Sequence, residues 1–429
     1  MENIIQQFRD IRQTMRKNEV WRDVDFDEML PESLVLPPKD LQPEKEYLCN
    51  IPNLSAKKLT IVNGSCTTPY TVDQDGVCYG SLRDAMAKAP DLVGGFLSKC
   101  PKSDNAYEKI NNANYIDGAF VFVPDGVKSW PAFQIVSVTD SEKALFLQTR
   151  NVVVVGKGST LNLIQCDDSI GSNRSMANNV TEMFCLSESK VCHYKMQNMN
   201  DDSGLLNHNY VACDNGADFH SFAISLNGGH LRNHTEVSLR GEHCDVEVHG
   251  LYLIDTEQKA DNYVFVDHAF SNCKSHELFK GIMDDSAQAS FNGHVLVEEG
   301  ATKTEAYQSN RNILLTDKAH VQSKPFLEIY NDDVKCSHGS TTGQLDEQAL
   351  FYLRTRGISE RTARTLMLYA FCDEVIQKIA LAELRERLSD MVKKRLHGEL
   401  TPCSECALHC SNTCGCDDAP AFEIDPEKL

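Results

Sequence analysis

The 429-residue sequence contains no apolar run of roughly 18 residues, the length that a membrane-spanning helix needs. Its first segment, MENIIQQFRDIRQTMRK, is charged and amphipathic and lacks the apolar centre of a secretory signal, so a cytoplasmic location is expected. Positive charge is scarce: 42 Lys and Arg stand against 62 Asp and Glu, a net charge of −20. Phosphate backbones demand a basic surface, which argues against a nucleic-acid binder and suits a soluble protein or one with basic partners. Between residues 118 and 335 no amphipathic helices alternate with the strand-like runs, which removes the alternating strand–helix architectures. The string GKGST at Gly156–Thr160 lacks the earlier glycine of a phosphate loop, since Asn151 stands there, and no helix follows. Any nucleotide would have to be bound by another subunit.

The hydrophobic content, 41%, is that of an ordinary globular protein, and the length allows one large core with helical additions or two domains. Of the 17 cysteines, those scattered from Cys49 to Cys372 follow no compact disulfide framework and read as buried thiols of a reducing compartment. Eight of the 14 histidines lie between His220 and His294 without tight ligand spacing and read as surface or turn residues.

Residues 2–17 carry Ile4, Phe8, Ile11 and Met15 at helical spacing, a face suited to packing on the body of the protein. The proline-bearing stretch from Trp21 to Tyr47 reads as an irregular connection, Leu59–Asn63 as a short strand and Ser81–Lys99 as helical. The body holds many short apolar runs, among them Val152–Val155, Phe219–Leu226, Tyr263–Val266 and Ala289–Val297, each ending in Gly, Asn, Asp or Ser. Repeated phrases of valines flanked by glycine suggest coils stacked on one another, alongside a sandwich or barrel as alternatives. After Gly357 two further helices are expected, from Ser359 as N-cap to about Phe371 and from about Asp373 to Leu396.

The change of pattern falls at Lys335–Gly357, KCSHGSTTGQLDEQALFYLRTRG. Cys336 and His338 are one residue apart, so an extended backbone presents both to one face, where a thiolate and an imidazole could meet one ion or cluster. Gly339 and Gly343 bracket a Ser/Thr run that reads as loop, and Leu345–Arg356 reads as a helix ended by Gly357. Spacing alone favours a half-buried strand thiol at Cys336 and a helix-capping loop imidazole at His338. Farther on, Cys403, Cys406, Cys410, Cys414 and Cys416 form C-x2-C-x3-C-x3-C-x-C in an acidic tail. Soft ligands this close are read as a metal site for zinc or an Fe–S cluster, with redox disulfides or a tail of no defined ligand set as alternatives.

The CSHGSTTG run, the preceding PFLEIYNDDV (Pro325–Val334), and the LTIVNG and INNANYIDGAFVFVPDGV blocks resemble the SufB/SufD family of iron–sulfur cluster assembly scaffolds. The SufB branch has an EHEATTS-like run where this chain has CSHGSTTG, so the SufD branch is favoured. The likeness runs from about residue 59 to 398 and leaves the cysteine tail outside. It implies a mainly β protein: a right-handed parallel β-helix flanked by N-terminal and C-terminal helical regions. The expected divisions are an N-terminal α/β region over residues 1–117, the β-helix over 118–335, a helical domain over 336–400 and the Cys-rich tail over 401–429. The likeness also implies a non-enzymatic scaffold that pairs with a SufB-like subunit, binds a SufC-like ABC ATPase through its C-terminal helices, and passes a transient cluster to apoprotein acceptors. Cys336 and His338 occupy the family's interface positions, His338 as a ligand of iron or cluster and Cys336 as an interface thiol. A SufB-type or homodimeric scaffold is the near alternative. A β-helix enzyme cleaving acidic polysaccharide is the rival of another class.

Overall fold

The computed structural model describes residues 2–37 apart from 16, 23, 27, 28 and 32, and residues 51–397 apart from 101–104, 129, 130, 172 and 173. The five tail cysteines therefore lie outside the described residues, as does Cys49. The chain opens with α1 (Glu2–Met15), β1 (Ala56–Val62), β2 (Ser65–Cys66), β3 (Thr71–Val72) and β4 (Cys78–Ser81). Next come α2 (Leu82–Lys88), α3 (Pro90–Gly94), α4 (Ala106–Asn114) and β5 (Ala119–Val123). The body follows as β6 (Ala132–Asp140), β7 (Phe146–Val155), β8 (Thr160–Ile170), β9 (Met176–Cys185), β10 (Lys190–Asn198), β11 (Gly204–Cys213), β12 (Asp218–Asn227) and β13 (His230–Leu239). It continues as β14 (Asp245–Ile254), β15 (Lys259–His268), β16 (Lys274–Met283), β17 (Gln288–Val297), β18 (Thr304–Leu314), β19 (His320–Ile329) and β20 (Val334–Gly343). Three helices close the described chain: α5 (Glu347–Thr355), α6 (Glu360–Ile376) and α7 (Ala382–His397).

From β6 onward, even-numbered strands stack in parallel in one sheet and odd-numbered strands in the other, each sheet having ten described strands. Each coil thus gives one strand to each sheet, which makes the body a parallel β-helix. The interior is held by ladders of like side chains. Val153, Met183, Val211, Val237, Val266 and Val295 pair one after another, all buried. Each such side chain contributes about 1.5–3 kcal/mol on leaving water. The GKGST string forms the tight turn from β7 to β8, where Gly158 adopts φ 64°.

A second set of interior positions is polar. Thr149 donates to Asn179 at 2.8 Å, Gln197 to Asn233 at 2.8 Å, Asn233 to Asn262 at 3.2 Å, and Tyr252 to Asn312 at 2.5 Å. Hydrogen bonds between coils offset the cost of burying these groups. The body strands are accordingly about twice as long as their apolar runs suggest, because their inward positions continue in Asn, Gln, Thr and Ser. The histidine reading also changes. His230, His234, His249 and His268 are buried rather than on surface turns.

At the N-terminal side, α1 buries Phe8 against Tyr107 and Phe146, with ring centroids 4.7 and 5.1 Å apart. The following stretch is irregular, as expected, yet it buries Trp21, Phe26, Met29 and Leu34 as a strap over the odd-numbered sheet. Ser81 caps α2, and Pro90 starts α3, so the expected helix is two short ones. At the C-terminal side, Cys372, Val375 and Ile376 of α6 share a cluster with Leu251, Leu278 and Ile282 of the even-numbered sheet. That contact carries α6 through to Ile376 and delays α7 to Ala382, whereas the sequence places a break between Phe371 and Asp373. Ser359 caps α6 as expected, and Gly357 has φ 85°.

Candidate functional site at the last coil

The Ser/Thr run after Cys336 is not a loop. It is the second half of β20, which pairs with β18 from Thr304↔Val334 to Ile313↔Gly343. Ten register pairs in a row hold the strand extended despite the poor β character of the run, so the change to helix comes after Gly343 rather than at Cys336. Both sheets end here: among the described residues, β19 and β20 have partner strands on one side only. Their other edges present backbone donors and acceptors without a strand to take them.

Cys336 pairs with Ala306 and His338 with Gln308. Ala306 and Gln308 are buried inward positions of β18, while Tyr307 between them is exposed. Register partners share a face, so Cys336 and His338 lie on the inward side of the last coil, beside each other at the open end. Cys336 is half-buried in a small cluster with Val295, Val297, Ala301 and Ala306, and burial pushes its thiol up from the ordinary 9.0. The structure thus gives the half-buried strand thiol that spacing suggested. His338 is exposed on a strand rather than in a helix-capping loop, and its ring has no hydrogen-bond partner among the described residues. Ser340 donates to Ser323 at 2.8 Å, joining the two terminal strands just beyond.

Apolar surface adjoins this end. Phe326, Ile329 and Tyr330 are 53%, 39% and 57% exposed. Phe326 meets His294 edge-on at 4.8 Å, and His294 pairs with Glu328 at 3.1 Å. On the helical side, Asp346 caps α5, which exposes Phe351 and Tyr352. No group of three or more His, Cys, Asp or Glu side chains is gathered for a metal among the described residues. The Cys336–His338 pair offers one thiol and one imidazole at this end of the stack.

Two interior groups below this pair escaped sequence reading. Glu277 of β16 is fully enclosed, and Gln308 Nε2 donates to it at 2.8 Å. The signal was available in KSHELFKGIM, where Glu277 falls in phase with the inward Phe279 and Met283.

A stack of parallel coils with open terminal edges, carrying a thiol and an imidazole two residues apart on its last strand, is a β-solenoid. Residues 137–371 match the family model described as the SUF system FeS cluster assembly SufBD core domain, and residues 2–135 match the SufBD protein N-terminal region. The chain belongs to the SufBD family of iron–sulfur cluster assembly proteins. It is 26% identical over 400 residues to an iron-sulfur cluster assembly SufBD family protein of Synechocystis sp., covering 90% of this chain and 88% of the relative. It is 25% identical over 387 residues to iron-sulfur cluster assembly protein SufD of Escherichia coli, covering 89% of each. A SufBD family protein of Mycobacterium tuberculosis is 39% identical over 190 residues, covering 42% of this chain and 47% of the relative. No described helix is long and apolar enough to cross a membrane.

Proposed function

We propose that this chain is a SufD-type scaffold subunit that holds iron or a nascent cluster as cargo and catalyses no reaction itself. The observation that carries the reading is the open last coil, which joins unpaired strand edges to Cys336, His338 and exposed Phe326, Ile329 and Tyr330. A SufB-like subunit pairs there edge to edge, its strands taking the free backbone groups and its side chains adding donors to the Cys336–His338 pair. Thiolate and imidazole both suit iron, and metal binding supplies the drive to deprotonate a thiol that burial holds protonated. The C-terminal helices, with Phe351 and Tyr352 exposed on α5, bind a SufC-like ATPase, whose hydrolysis reshapes the subunit interface before the cluster passes to apoproteins. The five tail cysteines form a separate zinc or cluster site.

The test is an anaerobic pull-down of the tagged chain co-expressed with its native SufB and SufC candidates. Recovery of both subunits supports the reading, and recovery of the chain alone sinks it. In the recovered complex, His338→Ala leaves folding intact and lowers cluster yield. Normal yield would remove His338 from the cargo site.

A further inference from the structure

Three consecutive rungs of the even-numbered sheet place Glu277, Gln308 and His338 in one line. Glu277 pairs in register with Gln308, and Gln308 with His338. Adjacent rungs are about 4.8 Å apart, so the His338 side chain leaves the backbone one rung above that of Gln308. The lower two groups are enclosed: Glu277 is 1% and Gln308 3% exposed. Gln308 spends its amide N–H on Glu277, at 2.8 Å. That bond turns the amide oxygen away from β16, and Gln308 Oε1 has no hydrogen-bond partner among the described residues. A buried carbonyl left without a donor is costly and calls for a reason.

The surrounding chain keeps the amide in this pose. Gly293, on the facing strand β17, leaves the space that Gln308 fills, since a Cβ there would stand 2.2 Å from Nε2 and 2.6 Å from Cδ. Phe291 closes the same interior and is fully buried. The amide therefore cannot swing aside without meeting β17. The acceptor without a donor lies one rung below the imidazole without a partner.

We infer that Gln308 is a positioning residue for His338: a rotation of the exposed imidazole, unpaired in this conformer, lets the buried carbonyl oxygen accept one ring N–H, and Glu277 holds the amide so that the oxygen faces upward. An imidazole ligand uses one nitrogen for the metal and donates the N–H of the other to a fixed acceptor, which sets its tautomer and orientation. Gln308 supplies that acceptor from inside the coil and leaves the other nitrogen facing the open end. The functional half of this inference rests on the reading of His338 as a cargo ligand; the hydrogen bond itself does not.

The experiment reads the tautomer of His338 by nitrogen-15 NMR in the isolated full chain, for the parent, Gln308→Met and Glu277→Gln. The expected result is one dominant tautomer in the parent and a tautomer ratio about tenfold closer to even in Gln308→Met, the ratio that one ordinary hydrogen bond supports. Glu277→Gln retains an acceptor for the Gln308 amide and keeps the parent ratio. Identical ratios in the parent and Gln308→Met overturn the inference. Met is close to Gln in length, and if that variant does not fold, the parent decides alone, because a parent ratio equal to that of a free histidine side chain overturns the inference. Cluster yield in the co-expressed complex is read separately: loss in His338→Ala with no loss in Gln308→Met overturns the positioning role. No loss in His338→Ala overturns the cargo reading alone, and the tautomer ratios still decide the hydrogen bond.

Discussion

The Arg232 guanidinium lies over the Trp21 indole, 4.8 Å from the ring centroid. It also donates to the Val20 carbonyl at 3.0 Å, and Trp21 stacks on His234 at 5.2 Å. Residues more than two hundred positions apart thereby fasten the N-terminal strap to β13. Arg232 is buried, so its charge is sheltered by an aromatic face and a carbonyl rather than by water. Trp21→Ala is expected to lower the free energy of unfolding by about 3–5 kcal/mol, through loss of a buried indole and exposure of Arg232. Urea denaturation checks this. A loss within experimental error would mean that the strap is dispensable.

The interior histidines and Glu277 give the stability two opposite pH dependences. Burial pushes His193 down to about 3 and His268 to about 4, from an ordinary 6.5. The unfolded chain takes up these protons below 6.5 while the folded chain refuses them, so stability falls as pH falls from 6.5 toward 4. Burial raises Glu277 from 4.5 to about 8, partly opposed by the Gln308 amide. Here the folded chain keeps a proton that the unfolded chain releases; the contribution is full below 4.5 and is lost as pH rises to about 8. One proton corresponds to a slope of at most about 1.4 kcal/mol per pH unit. Glu277→Gln should flatten the decline between pH 5 and 8 in urea midpoints, and His268→Gln should ease the decline below pH 6.5. Unchanged slopes in both variants would count against buried titration.

Phe326 offers a way to separate association from folding. Its side chain is more than half exposed, so Phe326→Asp should alter the stability of the isolated chain by no more than about 0.5 kcal/mol. A carboxylate there would be desolvated by a docking strand and should weaken recovery of the SufB-like subunit by about 2 kcal/mol or more. On the proposed reading, in which the helices hold a SufC-like subunit, that subunit should still be recovered. Equal recovery of both subunits with parent and variant would place the interface elsewhere.

Removal of residues 401–429 should preserve complex formation and lower the bound metal, measured under anaerobic conditions. Equal metal content in the full-length and shortened chains would exclude a metal site formed by Cys403, Cys406, Cys410, Cys414 and Cys416.

Much of this architecture could be read from residue patterns, and the failures share a cause. The valine runs gave the strands, and glycine and asparagine gave the turns. The Ser359 cap and Gly357 stop gave the helical end. Strand lengths were underestimated because Asn179, Asn207, Asn233 and Asn262 occupy inward positions, where alternation rules expect apolar residues. The same rules send histidines outward, yet His193 is enclosed between Gln165 at 2.9 Å and Ser221 at 3.0 Å. That Cys336 and His338 share one face of a strand was legible, because a spacing of two needs only an extended chain. Glu277 and Gln308 were not, since their alignment under His338 depends on register across three coils, which no local pattern encodes.

Stacked coils have a further consequence for kinetics. Each coil takes its strand pairing from its neighbours, and α6 clamps the even-numbered sheet at β16, where Lys280 donates to the Phe371 carbonyl at 2.9 Å. β19 and β20 lie beyond that clamp with one neighbouring strand apiece, so amide hydrogens there should exchange first and the unzipping of the stack should begin with them. The thiol and imidazole thus ride on the most readily opened coil. A chain that adds its own strands to that edge would slow the exchange and hold both side chains still in a single event.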